Sequence, residues 1–329
     1  MPLTLHPEVV AGMGPALEAL AAAPKLGPDD VAGVRANLDA MVSAPANLIT
    51  TDPDIQTTTY ETPSHDGHIV KIIRLASTKT PPATTTTTAN PSPAVLYIHG
   101  GGYIHGDALT WTRYIQRCVT ETGLPFFAVE YRLAPEHPFP AALEDVYAAL
   151  KWVHARAADL AVDPARIATF GQSAGGGIAA ALGILARDRA LAPPIAKQLL
   201  IYPELDDRNT TLRPELDALT FWPTSWNVIA WRAYLGADKA GAENGEVSAY
   251  AAPVRVTDFS GLPRTYIDIG ALDIFREEAL AFAAGVAKAD VEIEVHVYPG
   301  LPHGFDLVPE PSAPARKAIE DRIDALKRI

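Results

Sequence analysis

Ala168-Thr169-Phe170-Gly171-Gln172-Ser173-Ala174-Gly175-Gly176-Gly177 takes the chain from a short apolar run into an alanine-rich segment within a few residues. The run reads as the end of a strand and the alanines as the start of a helix, so the turn between them must be tight. Gly171 and Gly175 remove side chains where strand and helix would otherwise collide, and Ser173 is pushed into the open at a helix N-terminus. Oriented N–H groups there favour developing negative charge. Alone, a Gly-x-Ser-x-Gly is a weak signal, because both residue types are common in loops. A dinucleotide-binding turn is the rival reading. It fails because no Gly-x-Gly-x-x-Gly follows the first core strand and no acidic residue stands about twenty positions later.

Three further segments strengthen the signal by their order. His99-Gly100-Gly101-Gly102 sits where a predicted strand over 94–98 stops. Consecutive glycines let the backbone come close to a substrate, so the N–H groups of Gly101 and Gly102, joined by that of Ala174, can converge on one oxygen. His99 itself reads as a structural hydrogen-bonding residue, since no partner at zinc-like spacing accompanies it. Among nine histidines, His303 is the candidate base. It follows the last predicted strand through Pro299-Gly300-Leu301-Pro302, a loop able to carry an imidazole over the end of a sheet. His296 falls mid-strand on a polar face and reads as solvated. Asp273, just past a strand ending near Asp268, can reach the imidazole and hold its tautomer, with Asp268 and Glu277 as rivals for that role. Serine, acid, histidine is the chain order of an α/β-hydrolase.

The rest of the chain supports an α/β architecture. Residues 8–45 alternate alanine-rich apolar stretches with Pro24, Gly27 and Pro28, which predicts two short helices ahead of the first strand. Strands are expected over 55–62 and 68–75, joined by a turn containing Asp66-Gly67, as an antiparallel hairpin. Pro81-Pro82 and the run Thr84 to Thr88 read as a surface loop with nothing to pack. From residue 94 onward, apolar runs over 94–98, 125–130, 166–170, 198–202 and 264–268 alternate with helical patterns such as 141–156 and 178–187, implying crossovers and a mostly parallel sheet. The last run, 291–298, alternates valine and isoleucine with Glu292, Glu294, His296 and Tyr298, as at a sheet edge with one wet face. Such an edge invites pairing, so a homodimer across 291–298 is expected.

Composition narrows the function. A chain of 329 residues, 48% hydrophobic and 20% charged, can bury a large core. Its net charge of −12 disfavours nucleic acid and anionic membrane surfaces, which need clustered Lys and Arg. Residues 1–13 lack a basic stretch followed by an apolar run, so no signal peptide is expected, and no stretch is long enough to span a membrane. Cys118 is the single cysteine, which excludes an internal disulfide and makes a Cys-based zinc site unexpected; it reads as a buried thiol in a helix. Together these point to a cytoplasmic chain without metal or cofactor.

These segments resemble the hormone-sensitive-lipase-like family of α/β-hydrolases, bacterial and fungal carboxylesterases that carry the His-Gly-Gly-Gly motif. The resemblance runs from about residue 55 to the end. It includes the family-specific stretch Tyr131-Arg132-Leu133-Ala134-Pro135-Glu136-His137-Pro138-Phe139-Pro140-Ala141-Ala142-Leu143-Glu144-Asp145, and is similar at Leu205-Asp206-Asp207-Arg208 and Trp231-Arg232-Ala233-Tyr234-Leu235-Gly236. It implies an α/β-hydrolase fold, a mostly parallel eight-stranded sheet flanked by helices with a helical cap. The cap would comprise 1–50 and the insertion 204–250, over a catalytic core of 51–203 and 251–329. Asp273 matches the family's catalytic acid in a segment where Ile274 replaces the usual proline, and Gln172 stands where the family most often has Asp, so the charge beside the serine differs. The implied activity is hydrolysis of short- to medium-chain acyl esters by Ser173, His303 and Asp273, with Gly101, Gly102 and Ala174 holding the oxyanion. Trp222 and Trp226 in the insertion either line an acyl or alcohol pocket or form plain cap core. An amidase, lactonase or deacetylase would share every catalytic part. A non-catalytic small-molecule receptor on this scaffold is disfavoured because His303 is present.

Overall fold

Strand pairing starts with the hairpin β1 (Ile55–Pro63) and β2 (Ile69–Ser77), closed by the turn at Asp66-Gly67, and β2 then runs antiparallel to β4 (Phe126–Glu130). The remaining strands, β3 (Ser92–Ile98), β5 (Val162–Gln172), β6 (Lys197–Ile201), β7 (Arg264–Gly270) and β8 (Ile293–Tyr298), pair in parallel. The computed structural model describes residues 3–21, 25–42, 52–79, 91–243, 246–308 and 310–329, and there these strands form one eight-stranded sheet in the order β1-β2-β4-β3-β5-β6-β7-β8. The threonine run 84–88 lies outside the described residues.

Crossover helices cover both faces, and this is why the central strands read as unbroken apolar runs rather than alternating ones. Ala94 to Ile98 of β3 are wholly buried. Helices α3 (Thr112–Thr122), α4 (Ala141–Ala155), α5 (Ala174–Asp188), α8 (Arg276–Lys288) and α9 (Ala313–Lys327) flank the sheet. The helix expected over 178–187 begins at Ala174, since the small residues of the Gly-rich turn already take helical geometry. Cys118 on α3 is buried, and burial pushes its thiol up to about 12. Among the described residues no helix is long and apolar enough to cross a membrane.

Both expected N-terminal helices form, as α1 (Pro7–Ala21) and α2 (Val31–Val42), and the insertion after β6 holds α6 (Pro214–Asp217) and α7 (Thr224–Leu235). Helix α2 packs on α7. It is also fastened to the loops beneath: Arg35 donates to the carbonyls of Ile104 (2.8 Å) and Ala134 (3.0 Å) and binds Glu136 through two nitrogens.

At the last strand the alternation is real but its sense is reversed. Strand β8 is a sheet edge, yet Val295 and Val297 are its exposed side chains, whereas Glu294 and His296 are half-buried and Tyr298 is buried. The reason is α9, whose Asp321 accepts from the Tyr298 hydroxyl (2.8 Å) and whose neighbour Arg328 pairs with Glu294. His296 is therefore engaged rather than freely solvated, with Nε2 2.9 Å from Glu294.

A charged cluster lies in the core between β7 and α9. Arg322, on the otherwise apolar face of α9, donates two bonds to Asp268 (2.6 and 2.9 Å) and a third to Asp306, all three side chains being fully buried. Removing the cation would strand two carboxyl groups out of water. Arg322→Met is expected to lower unfolding free energy by about 3–5 kcal/mol, and adding Asp268→Asn and Asp306→Asn to recover part of that loss; urea unfolding curves at neutral pH measure both.

Candidate active site

Strand β5 ends at Gln172 and α5 starts at Ala174, leaving Ser173 alone to turn the chain. Its backbone sits at φ 55°, ψ −122°, a conformation that side-chain-bearing residues rarely adopt. Glycines on either side make this possible. A Cβ at Gly171 would lie 2.1 Å from the Gly175 carbonyl oxygen, and one at Gly175 would lie 2.2 Å from that of Ile98. The turn is pinned to its neighbour strand by the Ser173 N–H, which donates to Ile201 O at 2.9 Å.

Beyond β7, Asp273 is held by its own turn: the Phe275 N–H donates to Oδ1 at 2.9 Å, which leaves Oδ2 facing His303. The loop after β8 brings the His303 imidazole between two groups, with Nδ1 2.7 Å from Asp273 Oδ2 and Nε2 3.0 Å from Ser173 Oγ. Tyr202 and Phe275 pack edge-on against the imidazole, with ring centres 4.8 and 5.0 Å away, and restrict its tilt. Ser173, Asp273 and His303 are all buried. Of the rival acids, Asp268 is committed to Arg322 and Tyr266, and Glu277 is an exposed partner of Arg213.

The glycine run after β3 lies alongside the turn. Gly101 and Gly102 have φ of 125° and 60°, values open to glycine at little cost. A Cβ at Gly100 would meet the Gln172 carbonyl oxygen at 2.9 Å, so the two loops touch. Ala174 is the first residue of α5, where amides have no intrahelical acceptor. Trp222 covers this corner: its indole would be 2.2 Å from a Cβ on Gly102, and Trp226 meets it edge to face at 5.9 Å.

His99 braces the glycine run. Its Nδ1 donates to Gly100 O (2.8 Å), its ring stacks on Tyr131 at 4.1 Å, and the Tyr131 hydroxyl donates to the His99 carbonyl at 2.8 Å.

One set of residues escapes a sequence reading. Beneath the serine, the Tyr97 hydroxyl donates to Gln172 Oε1, Gln172 Nε2 donates to the Tyr202 hydroxyl (3.0 Å), and that hydroxyl donates to Asp306 (2.9 Å), which Arg322 binds. The available signal was Arg322 itself, a charge amid the apolar positions Ala315, Ala318, Ile319 and Ile323 of α9.

A family profile described as alpha/beta hydrolase fold matches residues 95–307. Over 216 residues the chain is 36% identical to esterase LipI of Mycobacterium tuberculosis, a match covering 65% of this chain and 66% of that protein. Carboxylesterase NlhH of the same organism is 35% identical over 225 residues, again 65% and 66% of the two chains. The matched stretch thus spans just under two thirds of these relatives. Among solved structures, a bacterial heroin esterase superposes with a TM-score of 0.85 at 37% identity, covering 99% of this chain and 98% of that one. A hyperthermophilic esterase from the archaeon Pyrobaculum calidifontis gives 0.77 at 30% identity, covering 100% and 99%. The chain belongs to the hormone-sensitive-lipase-like branch of the α/β-hydrolase-fold family.

Burial also sets a pH dependence. Desolvation lowers the His99 imidazole to about 4, against about 6.5 in an unfolded chain. The unfolded state therefore binds a proton that the folded state refuses, and stability is lost as pH falls from 6.5 toward 4. In His99→Gln, the difference in stability between pH 7 and pH 4.5 is expected to shrink by about 2–3 kcal/mol, as read from urea unfolding at the two pH values.

Proposed function

We propose that this protein is a carboxylesterase acting on short- to medium-chain acyl esters through a covalent acyl-enzyme. The observation that carries the reading is the continuous chain of hydrogen bonds from Ser173 Oγ through His303 to Asp273, at 3.0 and 2.7 Å. The names of the relatives and of the structural neighbours, esterases and carboxylesterases, agree with it.

His303 Nε2 takes the proton of Ser173 as Oγ attacks the ester carbonyl, and the developing oxyanion is held by the N–H groups of Gly101, Gly102 and Ala174. Asp273, bonded to Nδ1, keeps Nε2 unprotonated in the resting state and steadies the imidazolium that forms. That proton then passes to the alcohol as the C–O bond breaks. Water, deprotonated by His303, attacks the acyl-enzyme; the acid leaves and Ser173 regains its proton. In this reading 51–203 and 251–329 form the catalytic core, 1–50 and 204–250 form the cap, and Trp222 and Trp226 bound the pocket. The active site needs no metal or cofactor, and the lone buried thiol of Cys118 suits a cytoplasmic setting.

Ser173→Ala is expected to lower kcat on p-nitrophenyl butyrate by about a millionfold, and Asp273→Asn by about ten thousandfold. Matched esters, amides and lactones assayed on the wild type beside Ser173→Ala test the ester assignment: faster turnover of amides or lactones would move the protein to another class on the same triad.

We also propose that a second copy pairs along β8, whose Val295 and Val297 are exposed at the sheet edge. Sedimentation at micromolar concentration is expected to give a dimer that Val297→Lys converts to monomer.

A further inference from the structure

Seven acidic side chains are buried among the described residues, and in six of them the carboxyl group is partnered. Asp268 and Asp306 bind Arg322, Asp145 binds Arg132, Asp207 binds Arg255, Glu278 accepts from the Leu205 N–H and Asn209, and Asp273 faces His303. Glu204 is the exception. It is fully buried, and neither carboxyl oxygen has a hydrogen-bond partner. A carboxyl left so is destabilising, and a methionine or leucine of similar size would avoid that cost.

The position of Glu204 is fixed by the active site itself. Its N–H donates to the Ser173 carbonyl (3.1 Å), and its own carbonyl accepts from the hydroxyl of Tyr103, the residue following Gly102 (3.0 Å). It thus joins the serine turn to the glycine run, at the root of the insertion that carries α7. Burial, reinforced by the nearby Asp273, holds its carboxyl protonated well above the usual carboxylate range, so it has one O–H to donate and lone pairs to accept.

A second observation comes from the helix above. Asn227 and Trp231 lie one turn apart on α7, and Asn227 Oδ1 and Trp231 Nε1 are also buried without partners. The Trp231 ring packs on Tyr103, with ring centres 5.1 Å apart, and Tyr103 in turn holds the Glu204 backbone. Unpartnered polar atoms of both senses therefore occur on Glu204 and on the helix whose Trp231 packs against Tyr103.

Resting on the esterase reading, we propose that Glu204 is a specificity-determining residue whose carboxyl group hydrogen-bonds an oxygen carried by the substrate, making the preferred esters hydroxylated or keto-bearing rather than plain alkyl ones. A hydroxyl suits the carboxyl well, because each group can both donate and accept. Sites built to bind a substrate hydroxyl discriminate strongly against the analogue without it, since the protein's own polar group is then left unpaired.

The test compares, within one preparation, kcat/KM for p-nitrophenyl 3- and 4-hydroxybutyrate with that for p-nitrophenyl butyrate, and for 2-hydroxyethyl with ethyl butyrate. A ratio is independent of how much of a variant folds. The wild type is expected to favour the oxygenated member of at least one pair, which also tells the acyl side from the alcohol side. Glu204→Leu should cut that ratio by about tenfold or more, and Glu204→Gln, which keeps a donor and an acceptor, should retain most of it. A wild-type ratio at or below one in both series, or a ratio unchanged in Glu204→Leu, overturns the proposal and leaves the esterase reading standing. Absence of turnover on every ester by the wild type takes both down.

Discussion

The close approach of two backbones at Gly175 is the constraint on which the site rests. The end of β3 and the first turn of α5 meet so tightly that a single methyl group at Gly175 would fall 2.2 Å from the Ile98 carbonyl oxygen and 2.4 Å from that of His99. Because the helix starts so near the strand ends, Ser173 is forced into its strained conformation, and the glycine run after β3 lies against the serine turn. The Ser173 turn and the glycine run are thus brought together by a single steric condition rather than by separate ones. The strain at Ser173 is held by the surrounding bonds, notably those of its N–H to Ile201 and of its carbonyl to the Glu204 and Gly177 amides.

Beneath that surface, polar side chains do work usually left to apolar packing. The chain from Tyr97 through Gln172, Tyr202 and Asp306 to Arg322 runs from the serine turn to the last helix, and Tyr202 also presses on the His303 ring. Gln172 fits here because it is neutral. Two carboxyl groups already share the one guanidinium, and burial raises Asp268 despite it, so an Asp at position 172 would add a third acid to a region short of positive charge.

How much of this is legible in the sequence follows from the range of each interaction. The turn at Ser173, the hairpin at Asp66-Gly67 and the alternation of strand and helix are written in neighbouring residues, because backbone conformation and periodicity are local. The candidate triad is legible for a different reason: Ser173, Asp273 and His303 each follow a readable strand, and in a parallel sheet strand ends come to one edge. What escapes depends on distant partners. Nothing near Asp268 says that Arg322 will claim it, and nothing near Glu204 says that it will be left alone. The reversed face of β8 belongs here too, since only the docking of α9 makes Glu294, His296 and Tyr298 the covered side.

Arg35 gives helix α2 a standing that its distance in sequence from the strands preceding Ser173, Asp273 and His303 conceals. By satisfying the carbonyls of Ile104 and Ala134, one arginine on α2 completes the hydrogen bonding of two loops that cradle the glycine run and Tyr131. A version of the protein trimmed of its first forty residues would keep Ser173, Asp273 and His303 yet lose the clasp that Arg35 closes over those loops.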